Sequence, residues 1–177
     1  MKKLLVVVDF QNDFVDGALG FEDAKKIEDE IYTKITAYER ANDDVVFTLD
    51  THDEDYLQTI EGQNLPIKHC IKGSFGWEIY GKVKELSKNH PNLVKHTFGC
   101  DLLMKFIQEK PYKYDTIELV GLVSNICVVS NAIIAKSASP LSQVTVDAKA
   151  TSSYDKVIQE KTFDVLENLH IKVLNRA

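Results

Sequence analysis

The chain has 177 residues, of which 44% are hydrophobic, enough for one ordinary globular core and too many for a disordered or fibrous chain. A formal net charge of −6 opposes nucleic-acid binding and adhesion to an acidic membrane surface. Three cysteines with no C-x-x-C spacing give neither a disulfide framework nor a thiolate zinc site, and no apolar run is long enough to span a bilayer.

Residues 4–10 open the chain as a short β-branched run that stops at Asp9, too short for the apolar core of a secretory leader. A soluble cytoplasmic protein is the expectation. Ile27, Ile31, Ile35 and Tyr38 then mark one face of a helix over about 22–41. A second strand, 45–49, ends at Asp50 and runs into Asp50-Thr51-His52. Residues 51–75 show no clean period and hold Gly62, Pro66 and Gly73; irregular connections of that length are functional or disordered in compact domains. A helix is predicted over 76–88, a strand over 93–95 ending at Lys95, and a helix over 101–109. The strand 117–120 is broken by Gly121 and leads into a helix start that places Cys127 in its first turn. The helix 126–136 is apolar nearly all round, so it is expected to be the most buried. A strand at 144–146, a helix at about 154–168 and a strand at 171–174 complete the pattern.

Continuous apolar strands alternating with amphipathic helices predict a mainly parallel sheet of about six strands in a three-layer α/β/α sandwich, with residues 1–177 forming a single domain. Active sites of such sheets lie beyond the carboxyl ends of the strands. Asp9, Asp50, Lys95 and Cys127 are the polar or reactive residues delivered there. A thiol in the first turn of a helix sits near its positive end, which favours thiolate. Asp9 can take the thiol proton, with burial lifting its pKa and Lys95 opposing that lift. The alternative is that Asp9 and Lys95 form a structural ion pair beside an inert buried cysteine. Asp50 and His52, followed by Glu61 and His69, offer nitrogen and oxygen ligands suited to a divalent metal such as zinc, iron or manganese. Asp53, Glu54 and Asp55 are rival acids for that cluster, and His52 and His69 read alternatively as ordinary loop histidines.

Phe14 and Phe98 lie a few residues past Asp9 and Lys95, a placement suited to the walls of a pocket for a flat ring. Cys70 and Cys100 read as structural, and His90, His96 and His170 as surface or edge residues. Neither glycine-bearing stretch, 17–20 or 72–76, matches a phosphate-binding motif after a strand, so no nucleotide cofactor is expected.

The segments that carry these residues are Val8-Asp9-Phe10-Gln11-Asn12-Asp13-Phe14, Thr48-Leu49-Asp50-Thr51-His52, Lys95-His96-Thr97-Phe98 and Gly121-Leu122-Val123-Ser124-Asn125-Ile126-Cys127. With Pro66 to Ser74 between them, they resemble the isochorismatase-like cysteine hydrolases and, within these, the nicotinamidase/pyrazinamidase branch, over most of the chain. The resemblance implies Cys127 as nucleophile, Asp9 as proton acceptor and donor, and Lys95 as third member of a triad. It implies a cis peptide between Leu122 and Val123, with the Val123 and Cys127 N–H groups facing an oxyanion. It further implies a metal on Asp50, His52 and His69 that holds a pyridine nitrogen, a small-molecule amide as substrate, and a possible homo-oligomer. Gln58 stands where many nicotinamidases have a further histidine, Glu61 stands at the spacing of a glutamate used by some bacterial relatives, and Leu65-Pro66 replaces a frequent Trp-Pro. The alternatives are a metal-free hydrolase of another small amide, a ureido compound or an isochorismate-like vinyl ether; a catalytically silent binding module; and a redox role for Cys127.

Overall fold

A computed structural model describes residues 2–176. Six strands form one sheet: β1 (Lys3–Val8), β2 (Asp44–Asp50), β3 (Asn92–Lys95), β4 (Thr116–Leu122), β5 (Gln143–Ser152) and β6 (Lys172–Leu174). Their spatial order is β3-β2-β1-β4-β5-β6, and every neighbouring pair is parallel. The strand order therefore reverses between β1 and β4, and it is at such a reversal that the loops diverge and leave a crevice.

Alternation along β1 explains why both faces are covered. Leu4, Val6 and Val8 join a core shared with Leu103 of α6 (Asp101–Gln108), Ala132 and Ala135 of α7 (Val129–Ala138), and Phe163 and Leu166 of α8 (Lys156–Asn168). Leu5 and Val7 face the other way, onto Ile31 and Ile35 of α3 (Glu28–Arg40), with Phe47 and Val83. Successive side chains of a strand point to opposite faces, so a run apolar at every position needs a layer on each side. Among the described residues no helix is long and apolar enough to cross a membrane.

The predicted strands all form, within three residues at their starts, while β5 runs to Ser152, well beyond the expected 144–146. The helices differ more. The single helix expected over 22–41 breaks at Ile27 into a short segment, Glu22–Lys26, and α3. The helix expected over 76–88 shrinks to Val83–Ser87, because Gly81 takes a left-handed backbone (φ 54°) that a helix cannot continue through. The stretch 126–136 is, as expected, the least exposed of the long helical segments: Cys127, Val128, Asn131, Ala132 and Ala135 are buried, and Ile133 alone, at 43%, is exposed.

Gly121 is required by its surroundings. It adopts φ 110° beside a register shift between β4 and β5, and a Cβ there would lie 2.0 Å from the Val8 carbonyl oxygen. That close approach brings the ends of β1 and β4 together, where Asp9 and the segment after β4 emerge.

Candidate active site

Asp9 follows β1 in a left-handed conformation (φ 46°), an unfavourable one for an aspartate and one that turns its side chain into the sheet's carboxyl-end crevice. Its Oδ2 lies 2.7 Å from the Lys95 ammonium at the end of β3, and Oδ1 accepts a 2.6 Å hydrogen bond from the Thr48 hydroxyl on β2. Thr48 also accepts the Asp9 backbone N–H on its carbonyl, so one residue fixes both the backbone and the carboxylate. Lys95 Nζ is 3.5 Å from Cys127 Sγ and 2.8 Å from the Thr97 carbonyl, and the Asp9 carboxylate lies near the Cys127 thiol. Asp9, Lys95 and Cys127 are all buried. The structure thus brings together the three residues that sequence reasoning selected from separate strand ends.

Cys127 does not start an α-helix. It sits in a π-type turn, Ser124–Val128, that precedes α7, and the Leu122–Val123 peptide before it is cis, as the resemblance implies. Burial and the facing Asp9 carboxylate push the thiol well above its usual range, with Lys95 opposing them. The helix-end effect expected to favour thiolate is thus opposed here by burial and by Asp9. Burial lifts Asp9 as well, and Lys95 opposes it, as expected. Burial works against the charge on Lys95, but the negative groups around it outweigh that and hold the ammonium charged. Burial likewise pushes the Cys70 and Cys100 thiols up.

The second cluster adjoins the first through one carboxylate. Asp50 Oδ1 lies 3.0 Å from Lys95 Nζ, while Oδ2 lies 3.0 Å from His52 Nε2 and 3.4 Å from His69 Nε2. Burial opposes the charge of Asp50, but its two histidine partners and Lys95 keep the carboxyl well below the usual carboxylate range. Glu61 Oε1 completes the group at 3.6 and 3.8 Å from the same two imidazole nitrogens. One donor atom from each of Asp50, His52, Glu61 and His69 lies within 4.8 Å of all the others. The rival acids Asp53, Glu54 and Asp55 point to solvent, Glu54 pairing with Lys68. His96 is exposed and holds the Thr51 carbonyl, and His90 pairs with Glu39; neither joins the cluster.

Two residues not foreseen hold the ligand-bearing segments. The buried Gln11 amide brackets Asp50, accepting its N–H at 2.8 Å and donating to its carbonyl at 2.9 Å. The Asp13 carboxylate accepts the Cys70 N–H at 2.7 Å and the Ala18 N–H at 3.2 Å, tying the residue after His69 to the first loop. Gly17 and Gly76 leave room for that carboxylate: a Cβ on either would lie within 2.4 Å of it. Their signal was available, since glutamine and aspartate that are wholly or partly buried just after a strand must find backbone partners.

A cavity of about 400 Å³ opens over both clusters, with Asp50, His69 and Cys127 at its floor. Phe14, Phe98, Val123 and Ile126 form its walls, as expected for the first two, and Phe14 meets the His69 ring edge-on at 5.6 Å. Among the described residues, the lining holds acids and a histidine but no lysine or arginine.

A family model described as the isochorismatase domain matches residues 3–177. An uncharacterized isochorismatase family protein, PncA, from Bacillus subtilis (strain 168) is 31% identical over 169 residues, covering 88% of this chain and 89% of its own. Among solved structures, the nicotinamidase PncA from Bacillus subtilis superposes with a TM-score of 0.84 at 28% identity, over 99% of this chain and 100% of the other. The pyrazinamidase of Pyrococcus horikoshii in complex with zinc shares the fold, with a TM-score of 0.85 at 21% identity over 99% of this chain and 100% of that one.

Proposed function

The chain belongs to the isochorismatase family, and from that premise we propose that it is a cysteine amidohydrolase that converts a neutral aromatic carboxamide, nicotinamide or pyrazinamide, to the acid and ammonia. The observation that carries this reading is the meeting of Asp9 and Lys95 beside Cys127, which lies at the floor of an aromatic-walled cavity. The likeness to a nicotinamidase structure supports the substrate.

In this mechanism the Asp9 carboxylate takes the Cys127 proton as the sulfur attacks the amide carbonyl, and Lys95 stabilises the negative charge throughout. The Val123 and Cys127 N–H groups receive the oxyanion of the tetrahedral intermediate. Its collapse breaks the C–N bond, the proton on Asp9 passes to the leaving nitrogen, and ammonia departs from a thioester on Cys127. Water then attacks the thioester while Asp9 accepts its proton. The acid leaves, and Asp9 returns the proton to the sulfur.

The second cluster fits a divalent cation. Its donors are two imidazole nitrogens and two carboxylates, a borderline to hard set, and the His69 ring is oriented by a 2.8 Å hydrogen bond from Nδ1 to the Ile67 carbonyl that leaves Nε2 facing the cluster. Asp50, His52, Glu61 and His69 would hold the ion, which would supply a Lewis-acidic anchor for the ring nitrogen of the substrate. Purified protein is expected to retain about one zinc or manganese ion per chain by elemental analysis. His69→Ala should weaken binding by more than the roughly 10–100-fold typical of an outer-shell change. Wild-type protein that takes up no ion on titration would refute the metal assignment.

Thr48 is assigned as a positioning residue for Asp9. Losing a hydrogen bond to a charged group costs about 1.5–3 kcal/mol, roughly 10- to 100-fold in rate. Thr48→Val is therefore expected to lower kcat by that factor with KM nearly unchanged, and Thr48→Ser to restore most of it. A serine variant as slow as the valine one would show that the hydroxyl does not act through Asp9.

An anionic ureido acid or an isochorismate-like substrate is disfavoured, because away from the metal cluster the lining offers its carboxylate no lysine or arginine. Ammonia release from nicotinamide and from an N-carbamoyl amino acid, measured in parallel, tests the reading. Release from nicotinamide is expected, and release from the ureido acid alone would overturn it.

A further inference from the structure

The cavity is larger than a one-ring amide needs. A void of about 150 Å³ accepts a benzene-sized ring, so a pyridine carboxamide placed over Cys127 leaves roughly half of the 400 Å³ unfilled. The exposure of the lining shows where that space lies. Asp50, His69 and Cys127 are buried at the floor; Leu19, Phe21 and Leu65 are partly exposed; and Tyr154, 64% exposed, stands at the mouth. Phe21 and Tyr154 meet edge to face, with ring centroids 6.3 Å apart at 81°. They come from opposite ends of the chain, one before the first long helix and one before α8, and together they raise an aromatic ledge over the cavity. The outer half thus has apolar walls and carries no lysine or arginine among the described residues.

We propose that this outer chamber is a second subsite for an apolar substituent, so that the enzyme hydrolyses neutral aromatic carboxamides bearing a second ring, such as 5-phenylnicotinamide or quinoline-3-carboxamide, at least as well as the unsubstituted amide. The inference rests on the amidase reading above. The carboxamide carbon stays over Cys127 and the chemistry is unchanged: the C–N bond breaks, ammonia leaves, and water supplies the hydroxyl of the acid. The added ring packs between Leu19 and Leu65 and against the Phe21–Tyr154 ledge, exchanging water contact for apolar contact on both sides.

The test compares kcat/KM for nicotinamide and 5-phenylnicotinamide on wild type, Tyr154→Ala and Leu65→Trp. The expected result is a phenyl-to-parent ratio of one or more for wild type. Loss of the ledge in Tyr154→Ala should lower that ratio severalfold, and filling the chamber in Leu65→Trp should lower it at least tenfold. Turnover of nicotinamide with a wild-type ratio below about one hundredth would overturn the subsite and leave the amidase standing. A ratio near one that neither substitution changes would place the ring in solvent and also overturn it. Turnover of neither amide, with ammonia released from the ureido acid, would remove the amidase reading and this inference together.

Discussion

Ammonia release from nicotinamide is expected to fall by at least about 10⁴-fold in Cys127→Ala, the scale seen when a covalent nucleophile is removed from a hydrolase. The residue is buried and its side chain is small, so the substitution deletes one heavy atom without opening a cavity that destabilises the fold, and the unfolding midpoint should stay within a few degrees. A residual rate of a few per cent would sink the nucleophile assignment. Hydroxylamine supplies an independent check: wild type should divert part of its product to the hydroxamate, because a thioester is open to that amine. The variant should form none. Burial and the Asp9 carboxylate both oppose the thiolate, so reactivity toward a generic alkylating reagent is expected to be slow in the free enzyme. Turnover is a better report on this cysteine than alkylation rate.

Lys95→Met should act on stability as well as on rate. Lys95 is the cation between two buried carboxylates, at 2.7 Å from Asp9 and 3.0 Å from Asp50. Removing one partner of a buried ion pair costs about 3–5 kcal/mol, because the opposite charge remains without compensation. At roughly 2–4 °C per kcal/mol for a chain of this size, the unfolding midpoint should drop by roughly 6–20 °C. Calorimetry on Lys95→Met and on the double variant Lys95→Met/Asp9→Asn separates the causes. The double variant should recover part of the loss, since one of the stranded charges is gone. If it is no more stable than the single variant, the Lys95–Asp9 pair does not carry the energy assigned here.

The strands were legible because parallel strands buried on both faces are unbroken apolar runs, so the polar residue that ends each run stands out. Asp9, Asp50 and Lys95 were found that way, and the structure gathers them around Cys127. Thr48 escaped notice because a β-branched residue inside an apolar run looks like strand filler; only its partner, Asp9 Oδ1 at 2.6 Å, reveals it. The environment of Cys127 was read only in part: it sits in a π-type turn, and burial works against the thiolate that a helix start favours. A helix start can be read from spacing, but the depth of burial that opposes its effect cannot. Phe14 and Phe98 were within reach as pocket walls because they follow strand ends directly. Tyr154 was not, since it closes the same cavity from a helix start more than a hundred residues from Phe21. Helix limits failed at Ile27 and Gly81, where backbone conformation, unlike side-chain period, leaves little trace in a hydrophobic pattern.

The clasp formed by Gln11 and Asp13 bears on how such proteins can be recombined. The connection after β2 supplies three of the four metal-cluster donors, and it looks like an exchangeable cassette between Asp50 and the short helix before β3. Its seating belongs to another part of the chain: the Gln11 amide brackets its first residue, and the Asp13 carboxylate grips Cys70 through a space that only Gly17 and Gly76 leave open. A chimera that imports residues 51–75 from a relative inherits the donors without their mould. For an engineer, the smallest transferable unit is discontinuous: residues 11–17 travel with 50–76, or the graft arrives with its histidines misaligned.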